Sequence, residues 1–487
     1  MKKQRCFKIS FISIFWTFAI LTHGVELKES DLPELLGKSP HSSLSASEAK
    51  KTLSQFQTES FSNQYDPLGF IDGSYENHTG DWSQISPGGK PSPMLNAAVG
   101  VRQNLGYGVQ FEGSLHQYKS TVSLAGNRLS SHGFIPQLSV KLDLWKNLAG
   151  TFEQSQQAQL QAQTKIAELE SRIQKKLLLN QARVLFWEIA GVDKRMTIVK
   201  KMQVASRTQE KLAKERQAMS IADAGELALY SSQSAERRAR LLSLEYQRSS
   251  LTEALSQLIP DLEGKEIGIA PGKVDAIGDQ VLACTAAIKS HSKVPLTYSP
   301  YHQLIKLLEE KLAHDQKLNK AQLQGDLSLT GIYSRNGNKE DYADALKDSW
   351  DSDRSSSKLL LNFTYPLGNR QKAYDYKQAA DKLGFQAKKS NWEQSLSSKH
   401  SHMLKSIDYL LQAVQTQKQN AEFLTTSLKS VEKKYAQARL DVYQLIGEQE
   451  RSLSNDLAMI DTKLQIVKAV LEYLSLFSEF PCKFGGL

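Results

Sequence analysis

Proline is missing from two long stretches of this chain. All thirteen prolines of its 487 residues fall outside the segments 137–259 and 367–480. Proline breaks a helix interior by removing a hydrogen bond and clashing with the preceding turn. Each stretch is therefore free to form helices far longer than the globular average of about 11–12 residues. Cysteine is scarce as well: Cys6, Cys284 and Cys482 are the only three, which excludes a disulfide-dense scaffold and a cysteine-ligated zinc site. Past the N-terminus there is no apolar run of membrane-helix length, so any spanning element must be β-barrel strands. Catalytic signatures are missing too. Gly88-Gly89-Lys90 lacks the rest of a phosphate loop and sits between prolines. His400 and His402 are two apart on a helical stretch and share no face for a metal. No Gly-x-Ser-x-Gly elbow occurs. The reading is a protein that is not an enzyme, with no catalytic residues, no metal and no cofactor.

The chain carries a net charge of +9 and a mean hydropathy of −0.43. Lys2, Lys3, Arg5 and Lys8 precede an apolar run from Ile9 to Leu21, the pattern of a secretory signal peptide over 1–24; a retained anchor is the other reading. Removing those four basic residues leaves +5, too little for the size to argue for nucleic acid. Secretion would place Cys284 and Cys482 in an oxidising compartment. Whether they pair is a question of geometry that sequence does not answer.

What the chain does contain is one architectural unit twice. A strand-like segment ends near Asn147 and a proline-free stretch runs to a capping signal at Ser220. The order begins again near Asn369, with its signal at Asp441, at offsets of 222 and 221 residues. From about Gly150 to Ser220 a continuous helix would be about 100 Å long at 1.5 Å per residue.

Apolar residues recur every three and four positions: Leu396, Met403, Ile407, Leu410 and Val414 going out, and Leu453, Leu457, Ile460, Leu464 and Leu471 coming back. Ile166, Leu169, Ile173, Val184 and Trp187 do the same in the first unit, returning through Leu227, Tyr230, Leu241, Leu244 and Leu255. This is a coiled-coil seam, and an ordinary two-stranded coiled coil would show it too. At the reversals, Ser220 with Asp223, and Asp441 with Gln444, have the spacing of capping boxes.

Alternation of period two appears ahead of the long helices, in Val109–His116, Gln137–Trp145, Leu327–Tyr333 and Lys358–Tyr365. These are long enough to cross a bilayer as tilted strands. Four strands cannot close a barrel, whereas three subunits would supply twelve; a soluble four-stranded sheet is the alternative. Gly331-Ile332-Tyr333 also matches Gly73-Ser74-Tyr75 at an offset of 258, leaving 36 surplus residues in the first unit, among them the alternating segment Leu95–Arg102. The Asp-rich stretch 334–357 reads as a surface loop on the extracellular side.

The resulting domain expectation is a signal peptide 1–24, an N-terminal periplasmic segment 25–65, a first repeat 66–260, a linker 261–300 that wraps the helices, a second repeat 301–480 and a tail 481–487. The fold class is an α+β membrane protein: a long antiparallel helical coiled-coil tunnel plus four strands per chain.

Three segments, in order, resemble the TolC-like outer membrane efflux protein family. Asp326–Gly331 resembles its first-strand motif, Phe363–Asn369 its strand-to-helix motif, and Lys434–Ile446 its tip. The resemblance extends over roughly residues 66–477. It implies a homotrimer in the outer membrane of a Gram-negative bacterium. Twelve strands would form one barrel in outer membrane lipid, and twelve helices a periplasmic tunnel. A periplasmic adaptor (membrane fusion) protein and an inner-membrane transporter, an RND pump or an ABC exporter, would dock at the tips. Small molecules or polypeptides would leave through the bore, driven by the partner's energy.

By the same resemblance the tip and gate residues are Ser220, Asp223, Glu226, Asp441 and Gln444, and the adaptor contacts Gln217, Ala218, Ala438 and Arg439. Ala438 and Gln217 stand where the family has a tip glycine. Gln444 and Gly447 stand where it often has acids, so an acidic ring would come from Asp223 and Glu226; acids in a helix's first turn also simply complement its dipole. The other functions are a soluble periplasmic coiled-coil adaptor or structural protein, and an enzyme on a helical scaffold. The two strand-plus-hairpin units disfavour the first and the missing constellation the second.

Overall fold

The computed structural model describes residues 25–38, 42–77, 94–124, 127–220, 224–269, 284–285, 299–351, 353–365, 367–368, 370–437 and 439–477. The signal segment, the tail and most of the linker lie outside them. In chain order the main elements are β1 (Val25–Glu26), α1 (Leu32–Lys38), α2 (Ser42–Ser62), β2 (Leu68–Glu76), β3 (Met94–Gly106), β4 (Val109–Leu124), β5 (Asn127–Asp143), α3 (Thr151–Ala218), α4 (Ala224–Leu258) and β6 (Ile267–Gly268). Then follow α5 (Pro300–Leu323), β7 (Asp326–Arg335), β8 (Gly337–Lys339), α6 (Tyr342–Asp351), β9 (Ser355–Thr364), α7 (Arg370–Ala436) and α8 (Val442–Phe477). No helix among the described residues is long and apolar enough to cross a membrane.

The proline-free stretches become the helices expected of them. α3 has 68 residues and α7 has 67, each about 100 Å at 1.5 Å per residue. Their return helices α4 and α8 are about half as long, at 35 and 36 residues. The chain divides into two compact units, and each draws on both sequence repeats: 42–175 with 294–400, and 1–41 with 176–293 and 401–487.

In the first of these units, the N-terminal parts of α3 and α7 each pair with a shorter helix. α2 lies along α3, where Lys50 meets Glu170 at 2.5 Å, Lys175 meets Glu48 at 2.6 Å and the Thr58 and Thr164 hydroxyls are 2.9 Å apart. α5 lies along α7, through Lys389–Glu309 at 2.8 Å and the Tyr374 hydroxyl donating to the Gln316 carbonyl at 2.7 Å.

The same unit holds an antiparallel sheet of order β2-β3-β4-β5-β7-β9, with the short β8 beside β5. All four expected strands are present. The count of four per chain is nevertheless too low, because the surplus residues of the first repeat supply two more, β2 and β3. β2 is hard to read as a spanning strand from sequence, because its apolar face offers only Ile71 and Tyr75 as large residues, alternating with Gly69 and Gly73.

Register sorts the sheet into two faces. One carries Ile71, Val99, Val101, Leu138, Val140, Leu359, Leu361 and Phe363. These apolar side chains are exposed, Ile71 at 83 %, Leu359 at 74 % and Leu361 at 64 %. The other face carries Arg102 paired with Glu112 at 2.7 Å, Ser114 against His116 at 3.0 Å and Ser120 against Ser131 at 3.1 Å. Trp145, Phe363 and Tyr365 stack at the helix-side rim of the apolar face, with ring centroids 6.0–6.2 Å apart. At the far rim Tyr342 stands edge-on to Phe134 at 4.8 Å. Phe134 and Trp145 are eleven residues apart along the chain, about 28 Å along a bilayer normal for strands tilted by about 40°.

The corner between sheet and helix depends on two glycines. Gly108 in the β3–β4 turn and Gly150 before α3 have φ of 76° and 73°. A Cβ on Gly108 would lie 2.4 Å from the Asn147 carbonyl oxygen, and one on Gly150 would lie 2.8 Å from the Tyr107 Cα. Only glycine permits this close approach at these dihedrals.

The Asp-rich stretch is more ordered than a surface loop. Asp341 caps α6 by accepting from the Ala343 and Asp344 amides at 2.9 and 3.3 Å, and Asp348 accepts from the Asn338 amide at 3.1 Å and pairs with Arg354 at 2.9 Å. Competition between local side-chain bonds and helix is what made this segment read as loop.

In the second unit, β1 pairs parallel to β6, and the Arg248 guanidinium donates to the Ile267 carbonyl and to Asp193, both at 2.6 Å. Glu29 is buried beside Arg183 at 3.2 Å; burial pushes its carboxyl above the usual range, and Arg183 and Trp187 offset part of that rise. Cys284 is buried and disulfide-bonded, while Cys6 and Cys482 lie outside the described residues. The α8 seam is buried throughout, from Leu445 and Leu453 to Leu471 and Leu474.

Candidate functional site

Both helix reversals lie in the second unit. The first closes differently from the expected capping box. α3 ends at Ala218, and Ser220 adopts φ 63° with its amide donating to the Gln217 carbonyl at 2.8 Å. That left-handed residue stops the outgoing helix. Its dihedrals are not the extended ones of an N-cap, and the return helix is described from Ala224 onward. Asp223 and Ala438 lie outside the described residues. The second reversal shows one bond of the expected box: Asp441 Oδ1 accepts from the Gln444 amide at 2.9 Å, directly before α8. The Arg439 amide closes α7 onto the Lys434 carbonyl at 2.9 Å.

The two reversals are joined by side chains. The Tyr435 hydroxyl, on α7, donates to Glu226 Oε1 at 3.0 Å and accepts from the Tyr230 hydroxyl at 3.1 Å. Arg216 Nη1, on α3, donates to Glu226 Oε1 at 2.9 Å and to the Tyr435 oxygen at 3.3 Å. Four groups from three helices thus share one hub. Burial, and then the bond to Tyr435, push the Tyr230 phenol well above its ordinary range. The bond to Tyr435 also raises the Arg216 guanidinium. Tyr230 therefore stays a proton donor. Beneath the hub Ala213, Tyr230 and Val442 form an apolar core, flanked by Leu227, Tyr435 and Ile446.

A second rung lies further from the reversals. Arg237 on α4 is 2 % exposed. It donates to the Met202 carbonyl at 2.8 Å, to Glu450 at 2.9 Å and to the Ser206 hydroxyl. A third rung joins Arg195 to Asp461 at 3.0 Å and Lys468 to Glu188, beside a core of Val199, Leu453 and Leu457.

Of the tip residues read from the sequence, the structure brings Glu226 into the hub. Gln217, Ala218, Arg439, Asp441 and Gln444 stay in the two reversals. Glu226 is committed to Arg216 and Tyr435, so an acidic ring would fall to Asp223 alone. Sequence reasoning missed Arg216 and Arg237 and the exposed Met219 and Tyr443. Arg237 was findable: it occupies a seam slot seven residues after Tyr230 and four before Leu241, and a buried charge demands a partner.

No protein-family model matches the chain, and no curated protein matches it. Solved structures do. The outer membrane protein VceC of Vibrio cholerae is 14 % identical, with a TM-score of 0.63 over 93 % of this chain and 97 % of that one. CusC, described for folding and transmembrane channel formation, is 10 % identical with a TM-score of 0.62 over 95 % of each chain. The open state of the Neisseria gonorrhoeae MtrE outer membrane channel is 12 % identical with a TM-score of 0.61 over 92 % of this chain and 88 % of that one. At such identities the likeness is one of fold: this chain has the channel-tunnel fold of these outer membrane proteins.

Proposed function

We propose that this chain is one subunit of an export duct in the outer membrane of a Gram-negative bacterium. The observation that carries the reading is the sorted sheet. Its apolar face is exposed and bounded by aromatic rings about one bilayer apart, and its reverse is polar. An exposed apolar surface of that extent is untenable in water and suits a lipid-facing wall around an aqueous bore. Three copies would close the wall, and the paired long helices would continue it as a periplasmic tunnel.

The reversals are the docking end in this reading. Gln217, Ala218, Ala438 and Arg439 would meet a periplasmic adaptor protein, which hands over cargo from an inner-membrane transporter, an RND pump or an ABC exporter. Small molecules or polypeptides would pass. The hub of Arg216, Glu226, Tyr230 and Tyr435 would hold the two hairpins closed until a partner loosens them. The absence of catalytic motifs from the sequence fits a passive conduit whose energy comes from the transporter.

Fractionation of the full-length chain tests the reading. It should sediment with outer membranes and migrate on gels as a trimer that boiling converts to monomer. A soluble monomer in the periplasmic fraction would refute it and favour a soluble coiled-coil adaptor.

A further inference from the structure

Every strand-to-strand pairing along the six-stranded path is antiparallel. Six is even, so the two edge strands, β2 and β9, run in opposite directions. They have 9 and 10 residues, lengths that cross a bilayer when tilted. Each is paired on one side only among the described residues. Both continue the same sorting, with Ile71 and Tyr75 on the apolar face of β2 and Leu359, Leu361 and Phe363 on that of β9. An open edge in hydrocarbon leaves a row of amides and carbonyls unsatisfied, at several kcal/mol per group. Those edges must therefore meet another strand, and the complement on hand is the opposite edge of a second copy.

We propose that all six strands enter one barrel, β2 of one copy pairing antiparallel with β9 of the next, so that three copies close an eighteen-stranded wall. This rests on the outer-membrane reading given above. The expectation of twelve strands assumed two per repeat. Here the first repeat contributes four, because its surplus residues form a hairpin already in register with β4 over twelve paired positions. Excluding that hairpin from the wall would break the β3–β4 ladder and strand Val99, Val101, Ile71 and Tyr75 outside any apolar environment. Strands about 4.8 Å apart and tilted by about 40° give a backbone diameter of about 36 Å for eighteen, against about 24 Å for twelve. The wall would thus pass bulkier cargo than a twelve-stranded one.

Cysteine pairs on the polar face test this in the full-length chain in outer membranes. Ser74→Cys on β2 is combined in turn with Ser356→Cys, Lys358→Cys and Leu360→Cys on β9. Ser114→Cys on β4 is combined with the same three. After mild oxidation, at least one β2 combination should give covalent dimers and trimers that survive boiling without reductant, and no β4 combination should. Cross-linking through β4 alone would overturn the eighteen-stranded wall and leave a twelve-stranded channel standing. No cross-link from either set, in variants that still migrate as heat-sensitive trimers, would overturn it too. A chain that never reaches the outer membrane would instead reject the channel reading beneath it. Counting strands in an electron cryomicroscopy map gives an independent answer: eighteen supports the proposal and twelve ends it.

Discussion

The Tyr435 hydroxyl, on the long helix of the second repeat, donates to the Glu226 carboxylate, on the return helix of the first, at 3.0 Å. With the bonds that Tyr435 accepts from Tyr230 and Arg216, it joins the two hairpins where each reverses. Tyr435→Phe keeps the ring in its core and removes the hub atom. It leaves the Tyr230 hydroxyl without its acceptor, at a cost of about 1–3 kcal/mol. Amide exchange near the reversals should speed up, and in planar bilayers the channel should open more often. Unchanged exchange and gating would remove the hub from the closing device.

Arg237 is the most deeply committed charge. Arg237→Ala should lower stability by about 1–3 kcal/mol, because Ser206 and the Met202 carbonyl lose a buried donor and the part-exposed Glu450 loses its partner. Arg237→Met with Glu450→Gln should recover part of that loss. Urea midpoints of the two variants decide it, and equal midpoints for Arg237→Ala and the wild-type chain would contradict the assignment.

Asp441 is an N-cap. Asp441→Ala should cost about 1 kcal/mol and fray the start of α8. The amide of Gln444 should be the one whose protection falls most. Ser220→Ala should leave α4 intact, since Ser220 lacks the extended dihedrals of an N-cap.

Adjacent residues on β9 face opposite environments. Leu361→Arg places a charge on the lipid side, two residues inside the rim at Phe363, and should cost about 1–2 kcal/mol between interface and midplane, cutting the yield of heat-sensitive trimer. Asn362→Arg points to the polar face and should be tolerated. Equal yields for the two would mean that the apolar face does not meet lipid.

Burial holds the His400 imidazole below its ordinary value of 6.5. The unfolded chain takes up a proton near that pH and the folded chain resists it. The contribution is therefore present above pH 6.5 and lost as pH falls through it. The urea midpoint should fall between pH 7.5 and 5.5 by more in the wild-type chain than in His400→Gln. An equal fall in both would sink the claim.

Much of the fold was legible because it is periodic. Missing prolines permitted α3 and α7, the three-four spacing of Leu453, Leu457, Ile460 and Leu464 marked the buried side of α8, and alternation in β5 and β9 marked two faces. β2 escaped notice as a spanning strand because glycines interrupt its apolar side. α6 escaped because its aspartates are individually better explained as loop than as cap and ion-pair partner. Ser220 reads as a cap because spacing carries no dihedral angle; its left-handed backbone is visible only in the fold.

By itself the sequence determined what each segment could be: long rods, alternating strands and a twofold repeat. Local sterics and hydrophobic period act within a few residues, so they can be read in order. The tertiary structure alone decided which segments meet: that Arg216, Glu226, Tyr230 and Tyr435 share one hub across 219 residues of chain, and that six strands share one sheet. Such contacts depend on how separate elements pack, and no spacing within either element encodes them.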